Sequence, residues 1–144
     1  MKIKVIINKL IPLKDYTAIT IWPLVFARRE LRTQELRHEK IHWWQHLEEM
    51  LLMGGIVWMM VLLGVLSPWW FMGVPFTFYL WYVIEWLIRW AIYRNRTEAY
   101  YNISFEQEAY NHQGDSSYLD DRLWFSWLSY LDRKTMIKQS IKQK

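Results

Sequence analysis

The sequence predicts a mainly α-helical fold, with a short N-terminal β-hairpin and an apolar helical hairpin embedded between polar helices. Three observations predict it. Residues 3 to 27 are rich in Ile, Val, Thr and aromatics, the composition of half-buried strands. From about Leu31 the chain turns to helix formers, with no Gly or Pro before Gly54, as a long helix requires. Two uncharged stretches, Leu51 to Leu66 and Trp69 to Ile84, then meet at Ser67-Pro68, a pair that breaks a helix and turns the chain. At 144 residues without a linker-like tract, the chain reads as one membrane-associated domain.

In order, the first element is a pair of strands over residues 3 to 13 and 16 to 27, parted by Lys14-Asp15, with Pro12 and Pro23 holding both at a sheet edge. A helix over residues 31 to 50 follows, and the apolar hairpin occupies residues 51 to 92. Each arm has 16 uncharged residues, about 24 Å as a helix against a hydrocarbon core of roughly 30 Å, so a thin or partly penetrating hairpin is expected. Reflection about Ser67-Pro68 sets His46 level with Arg89 and His42 level with Tyr93. Glu85 and Arg89, four residues apart, pair along one helix face. Ser104 and Gln107 have capping-box spacing and start a helix over residues 104 to 113, which Gly114 ends. A last helix over residues 117 to 133, capped by Ser117, carries Leu119, Leu123, Trp127 and Leu131 as an amphipathic stripe. The basic tail from Lys138 to Lys144 offers at most a contact with anionic lipid.

Composition narrows the function. Eleven Trp and an aromatic content of 18% suit a membrane interface. The absence of Cys excludes disulfides, iron–sulfur clusters, thiolate zinc sites and a cysteine nucleophile, so any metal must be held by His and carboxylate. The net charge of +4 is spread over both ends, which makes the basic residues membrane flanks and argues against a nucleic-acid partner. Residues 1 to 47 hold nine Lys and Arg and residues 93 to 144 hold eight, whereas the hairpin connection holds none. By the positive-inside rule both termini and the polar helices lie on the cytoplasmic side of the inner membrane. Lysines interrupt every apolar run at the N-terminus and no small-residue cleavage site follows, so that segment does not read as a secretory signal.

The chemistry sits in His38-Glu39-Lys40-Ile41-His42. Two imidazoles four residues apart project from one helix face and can grip one ion, while Glu39, about 100° round the helix, reaches the ion's water without being a ligand. Zn2+ held by three protein ligands keeps a fourth position open, lowers the pKa of water there and polarises a scissile carbonyl, and the Glu removes the proton. His46 extends the row by one more turn, but three successive turns cannot all reach one tetrahedral ion, so it reads as an interfacial residue.

A third ligand is offered by Phe105-Glu106-Gln107-Glu108-Ala109-Tyr110. Glu106 with Ala109-Tyr110 resembles the third-ligand helix of gluzincin metallopeptidases, including the membrane-bound prenyl-protein and heat-shock proteases, in which Glu is followed four residues later by Asp with a small residue before it. The resemblance implies Glu106 as ligand and a minimal zincin-like pair of active-site helices. Glu108 competes, but it lies about 200° from Glu106 on a helix, so only one of them can face the metal; Ala109, on the Glu106 face, permits close helix approach. Closer still is the similarity to a family of small, uncharacterised, predicted membrane proteins sharing the layout of Arg37 to Gln45, Tyr82 to Arg89 and Asn102 to Tyr110. It extends from about residue 16 to 131 and implies no substrate. Where gluzincins place the Asp that orients a ligating His, this chain has Tyr110, so another residue must orient it.

The resemblance also gives the N-terminal strands a role: a zincin edge strand pairs with extended substrate. Tyr16 to Trp22 is the candidate, with Ala18 and Thr20 on the face bearing Tyr16 and Trp22; a plain structural edge strand is the alternative. Tyr100, Tyr101 and His112 are the candidates for stabilising an oxyanion. The leading expectation is therefore a membrane-embedded zinc metallopeptidase acting on a peptide or protein substrate, with His38, His42 and Glu106 as ligands and Glu39 as general base. Two alternatives stand beside it: a non-catalytic membrane interaction protein with a structural or absent metal, and a metal-dependent hydrolase of a non-peptide substrate.

Overall fold

A computed structural model describes residues 3–8, 10–11 and 16–131. The chain is mainly helical, with one small sheet at its N-terminal end. Strand β1 (Lys4–Ile7) runs parallel to β3 (Leu24–Ala27), and β3 pairs antiparallel with β2 (Ala18–Ile21), giving the order β1-β3-β2. The expected hairpin thus forms within residues 16 to 27 alone. Trp22-Pro23 is its turn, because proline has no N–H with which to continue a paired strand. Pro12, Lys14 and Asp15 lie outside the described residues.

Helix α1 (Thr33–Leu62) runs unbroken for 30 residues, about 45 Å, so the motif helix and the first apolar arm are one element. It enters through Glu35, which accepts from the Arg32 N–H at 2.8 Å and pairs with Arg29 at 2.6 Å. It leaves through Gly64, whose φ of 71° suits a residue without Cβ. A 3-10 helix over Pro68–Phe76 follows, and then α2 (Thr77–Tyr93). Together these form a 26-residue run long and apolar enough to cross a membrane. At about 2.0 Å per residue in the 3-10 helix and about 1.5 Å in α2 it measures about 44 Å, so the second arm is not short of a core of roughly 30 Å: it continues past Ile84 to Tyr93, and the 3-10 segment stretches it.

That stretching also corrects the expected register. Trp58 meets Phe71 with ring centroids 6.3 Å apart, and His46 stacks on Phe78 at 4.8 Å while its Nε2 lies 2.9 Å from the Pro75 carbonyl. His46 is therefore level with Phe78, not Arg89, and His42, one turn earlier along α1, still lies only 6.5 Å from the same ring instead of level with Tyr93. The turn sits nearer Gly64 than Ser67-Pro68, and each residue of the 3-10 helix covers more height than one of α1.

After Arg94, in the left-handed region at φ 55°, come α3 (Arg96–Tyr101) and α4 (Ser104–His112). The side chain of Asn95 caps α3 by accepting from Thr97 N–H at 2.9 Å and Glu98 N–H at 3.2 Å. The expected capping box at Ser104 and Gln107 does not form. Glu85 of α2 takes its place, accepting from the Ser104 N–H at 2.9 Å and hydroxyl at 2.7 Å, while Gln107 donates to the Asn102 carbonyl. Glu85 also makes the expected pair with Arg89, so the carboxylate clamps α2 to the start of α4.

The expected helix over residues 117 to 133 is broken. Helix α5 covers only Tyr118–Asp121, and a 3-10 helix occupies Ser126–Tyr130. Arg122 leaves α5 with extended backbone and Phe125 adopts φ 57°. The stripe does not share one face: Trp127 is 2% exposed and Leu123 76%. Residues beyond Leu131, including the end of that expected helix and the basic tail, lie outside the described residues. The core joins Phe78, Ile103, Phe105 and Trp127, with Phe105 stacked on Phe78 at 4.6 Å and edge-on to Trp127 at 4.7 Å.

Candidate metal centre

One turn of α1 separates His38 from His42, so both rings leave the same face and meet, with their Nε2 atoms 3.0 Å apart. Helix α4 brings Glu106 against them. Its Oε2 lies 3.4 Å from His38 Nε2 and its Oε1 3.3 Å from His42 Nε2. All three residues are buried. Donor atoms bound at about 2.0–2.1 Å to a tetrahedral ion lie roughly 3.3 Å apart, close to these separations. Glu106 Oε2 is buried without a hydrogen-bond partner, as an oxygen facing an ion would be. The donor set therefore fits a metal ion, and among the described residues no fourth His, Asp or Glu joins it.

The electrostatics of the free cluster agree. Burial disfavours charge on His42, but the Glu106 carboxylate, helped by Glu39 and Gln45, outweighs it and pushes the pKa up to about 9. Burial likewise works against a charged Glu106, yet His42 and His38 hold its carboxyl well below the usual carboxylate range. A proton shared in this way stands where an ion's positive charge would stand, and an ion must displace it.

Glu39 is drawn aside. Its Oε2 accepts from the Thr20 hydroxyl at 2.7 Å, and Thr20 also reaches the Glu39 carbonyl at 3.3 Å. Thr20, expected to touch substrate, thus has its hydroxyl engaged by the candidate base. The Arg28 N–H bonds the Thr17 carbonyl, and with Ile19 opposite Phe26 the antiparallel alternation turns the backbone groups of Ala18 and Thr20 to the open edge. The Thr20 carbonyl there accepts from Tyr79 at 2.9 Å, which leaves Ala18 as the open edge position beside the cluster.

The chain matches no family model, no curated protein and no solved structure. The case for a metal centre therefore stands on the arrangement itself, including residues that spacing alone did not single out. Gln45 is the foremost. Its Oε1 lies 2.8 Å from His42 Nδ1, and its Nε2 donates to the Phe105 carbonyl at 3.1 Å and to Glu108 Oε2 at 3.0 Å. With the amide so oriented, His42 Nδ1 keeps a hydrogen, so that once the shared proton is displaced Nε2 presents its lone pair to the cluster. Gln45 thus fills the role left open by Tyr110, whose ring instead packs against His38 at 4.6 Å. The i, i+3 spacing from His42 was the available signal.

Glu108, the competing ligand, is not brought to the centre. It faces Arg122 at 2.5 Å and Tyr118 at 2.9 Å, and Arg122 also binds Glu48. Tyr82, also unforeseen, donates to Glu106 Oε1 at 2.8 Å. Of the oxyanion candidates, His112 stacks on Tyr118 at 3.7 Å and meets the Tyr130 hydroxyl, away from the cluster. Two cavities meet at His38 and Glu39. One, of about 780 Å³, has polar walls that include Arg32, Gln34, Arg96, Thr97 and Gln113. The other, of about 430 Å³, is walled by Ile11, Ile19, Phe78, Tyr79 and Tyr82. Tyr100 and Ala18 line both, and Tyr101 only the polar one.

Proposed function

We propose that the chain is a membrane-embedded zinc metallopeptidase, with His38, His42 and Glu106 holding the ion and Glu39 acting as general base. The observation that carries this reading is the convergence of two imidazole Nε2 atoms on a buried carboxylate that has one oxygen without a partner, beside a second carboxylate held out of the ligand set by Thr20. Two His and one Glu without thiolate are a catalytic zinc set, and three protein ligands suit catalysis better than a closed structural site. Zinc so held activates water and polarises a carbonyl.

The chain's own groups do the rest. Glu39 has Oε1 free of Thr20 to take the proton of the attacking water, which bonds to the carbonyl carbon, and delivers it to the amine nitrogen as the C–N bond breaks. Ala18, on the open edge, pairs with the backbone of extended substrate and holds the peptide along β2. Gln45 keeps the His42 lone pair aimed at the ion. The 26-residue apolar run supports a centre held at the bilayer, and the Lys and Arg flanks favour the cytoplasmic side.

Zinc content of the purified chain, beside His38→Ala and Glu106→Ala, tests the ligand set, and Glu39→Gln tests the base. One equivalent is expected in the wild type and in Glu39→Gln, far less in the ligand variants, with turnover of Glu39→Gln down at least about 100-fold. A wild-type chain without zinc, or His38→Ala with full zinc, rejects the reading.

A further inference from the structure

The two cavities that meet at the centre have opposite chemistry, and that difference bears on what is cut. In the apolar one the two hydroxyls on the α2 wall are engaged: the Tyr79 hydroxyl donates to the Thr20 carbonyl and the Tyr82 hydroxyl to Glu106. A charged or amide side chain seated against that wall would lose its hydration with neither hydroxyl free to replace it. Ile11, Ile19 and Leu10, which line the same cavity, are 42%, 38% and 87% exposed, so its mouth is apolar as well. Phe78, Tyr79 and Tyr82 belong to the run apolar enough to cross a membrane. The polar cavity, by contrast, offers the exposed cations Arg32 and Arg96 beside Gln34, Thr97 and Gln113. Both volumes fall within the range of ligand pockets, about 300–1,000 Å³.

Resting on the peptidase reading, we infer that the centre cuts a polypeptide at a junction between an apolar and a polar segment. The residue on one side of the cut bond is large and apolar and seats between Ile19 and Phe78, while the chain on the other side runs polar past Arg96. Ala18 and Tyr100 line both cavities, so the cut bond lies between them, over His38 and Glu39. A chain emerging from a bilayer presents such a junction at the depth where α2 carries this wall.

Short, water-soluble peptides of equal length test this on the full, zinc-loaded chain: apolar-then-polar, polar-then-apolar, and wholly polar. One of the two orders is expected to be cut at its junction, with the wholly polar peptide showing a KM at least about tenfold higher, since burying one large apolar side chain is worth that much or more. Ile19→Lys, at an exposed edge position lining only the apolar cavity, is expected to raise the KM for the junction peptide about tenfold with kcat nearly unchanged. Arg96→Ala is expected to leave the apolar preference intact. Equal cleavage of all three peptides, or an unchanged KM in Ile19→Lys, overturns the inference. If no peptide is cut the peptidase reading fails, and binding to Glu39→Gln, followed by tryptophan fluorescence, still decides this one. A junction peptide bound about tenfold tighter than the wholly polar peptide upholds it, and equal affinities reject it.

Discussion

Among the proposed ligands, His42 is the one whose orientation has an identifiable cause: Gln45 is held by the Phe105 carbonyl and Glu108 and holds the imidazole in turn. Gln45→Leu keeps the volume and removes the acceptor, so zinc affinity is expected to fall about 10–100-fold with the helix intact. Competition against a chelating dye, with circular dichroism as control, measures it; unchanged affinity would show that packing alone orients the ring. The same imidazole sets the pH dependence. In the free protein its pKa is raised from 6.5 to about 9 by the Glu106 carboxylate acting against burial. The charged pair therefore stabilises the metal-free fold fully below pH 6.5, and this contribution is lost as pH rises through 9. Zinc must expel that proton, so its affinity is expected to rise about tenfold per pH unit up to that value and then level off. A flat profile between pH 6.5 and 9 would mean that His42 carries no proton to displace. His38, Glu39 and His42 were legible because helix geometry is local. Gln45 was legible in principle from its spacing, but its amide is fixed by Glu108 63 residues away, which periodicity cannot reveal.

Helix α4 must approach α1 closely for Glu106 to meet the imidazoles, and two buried charged clusters secure it. At its start, Glu85 accepts from Ser104; along its length, Arg122 bridges Glu108 and Glu48 of α1. Removing one member of such a cluster leaves its partners charged and desolvated. Arg122→Leu is accordingly expected to cost about 3–5 kcal/mol of stability, read as a lowered Tm or an earlier denaturation midpoint. Replacing all three, as Glu48→Met, Glu108→Leu and Arg122→Met, should restore most of that stability, since apolar residues of similar volume pack where the ions were. Zinc binding of the triple variant should remain weak, because Gln45 has lost its Glu108 anchor. Full zinc affinity in the triple variant would reduce the cluster to a structural one. The same cluster explains the broken C-terminal helix. Leu119, Leu123, Trp127 and Leu131 have helical period, but a four-residue period does not record that Arg122 must turn inward to Glu48, 74 residues earlier. The capping box failed for a related reason: Ser104 found a carboxylate on another helix.

At the scale of the whole molecule, α1 is both the frame of the centre and the first apolar arm, so the depth of the site is tied to the depth of the hairpin. Trp58, Met59, Leu62, Trp69, Met72 and Phe76 are all at least 57% exposed, the kind of apolar surface that marks a membrane or partner contact. Composition alone announced that surface. It did not announce the register of the arms, because a 3-10 helix has no sequence period distinct enough from an α-helix to be read, and its greater rise shifts every level that reflection had assigned. Glu106, 64 residues beyond His42, was reached through a resemblance to a known pattern and not through any local signal, and helix packing is what brings it home. If the arms cross the bilayer with the centre on the cytoplasmic side, Val65 at the turn and Gln34 beside the polar cavity lie on opposite faces of the membrane. The chain has no Cys, so single Val65→Cys and Gln34→Cys variants each carry one label site. A membrane-impermeant thiol reagent added to intact cells should mark Val65→Cys alone, and Gln34→Cys should react only once the inner face is opened. Labelling of both from inside would make the hairpin re-entrant, with α1 rooted in one leaflet. Labelling of Gln34→Cys from outside would invert the topology and place the centre away from cytoplasmic substrates.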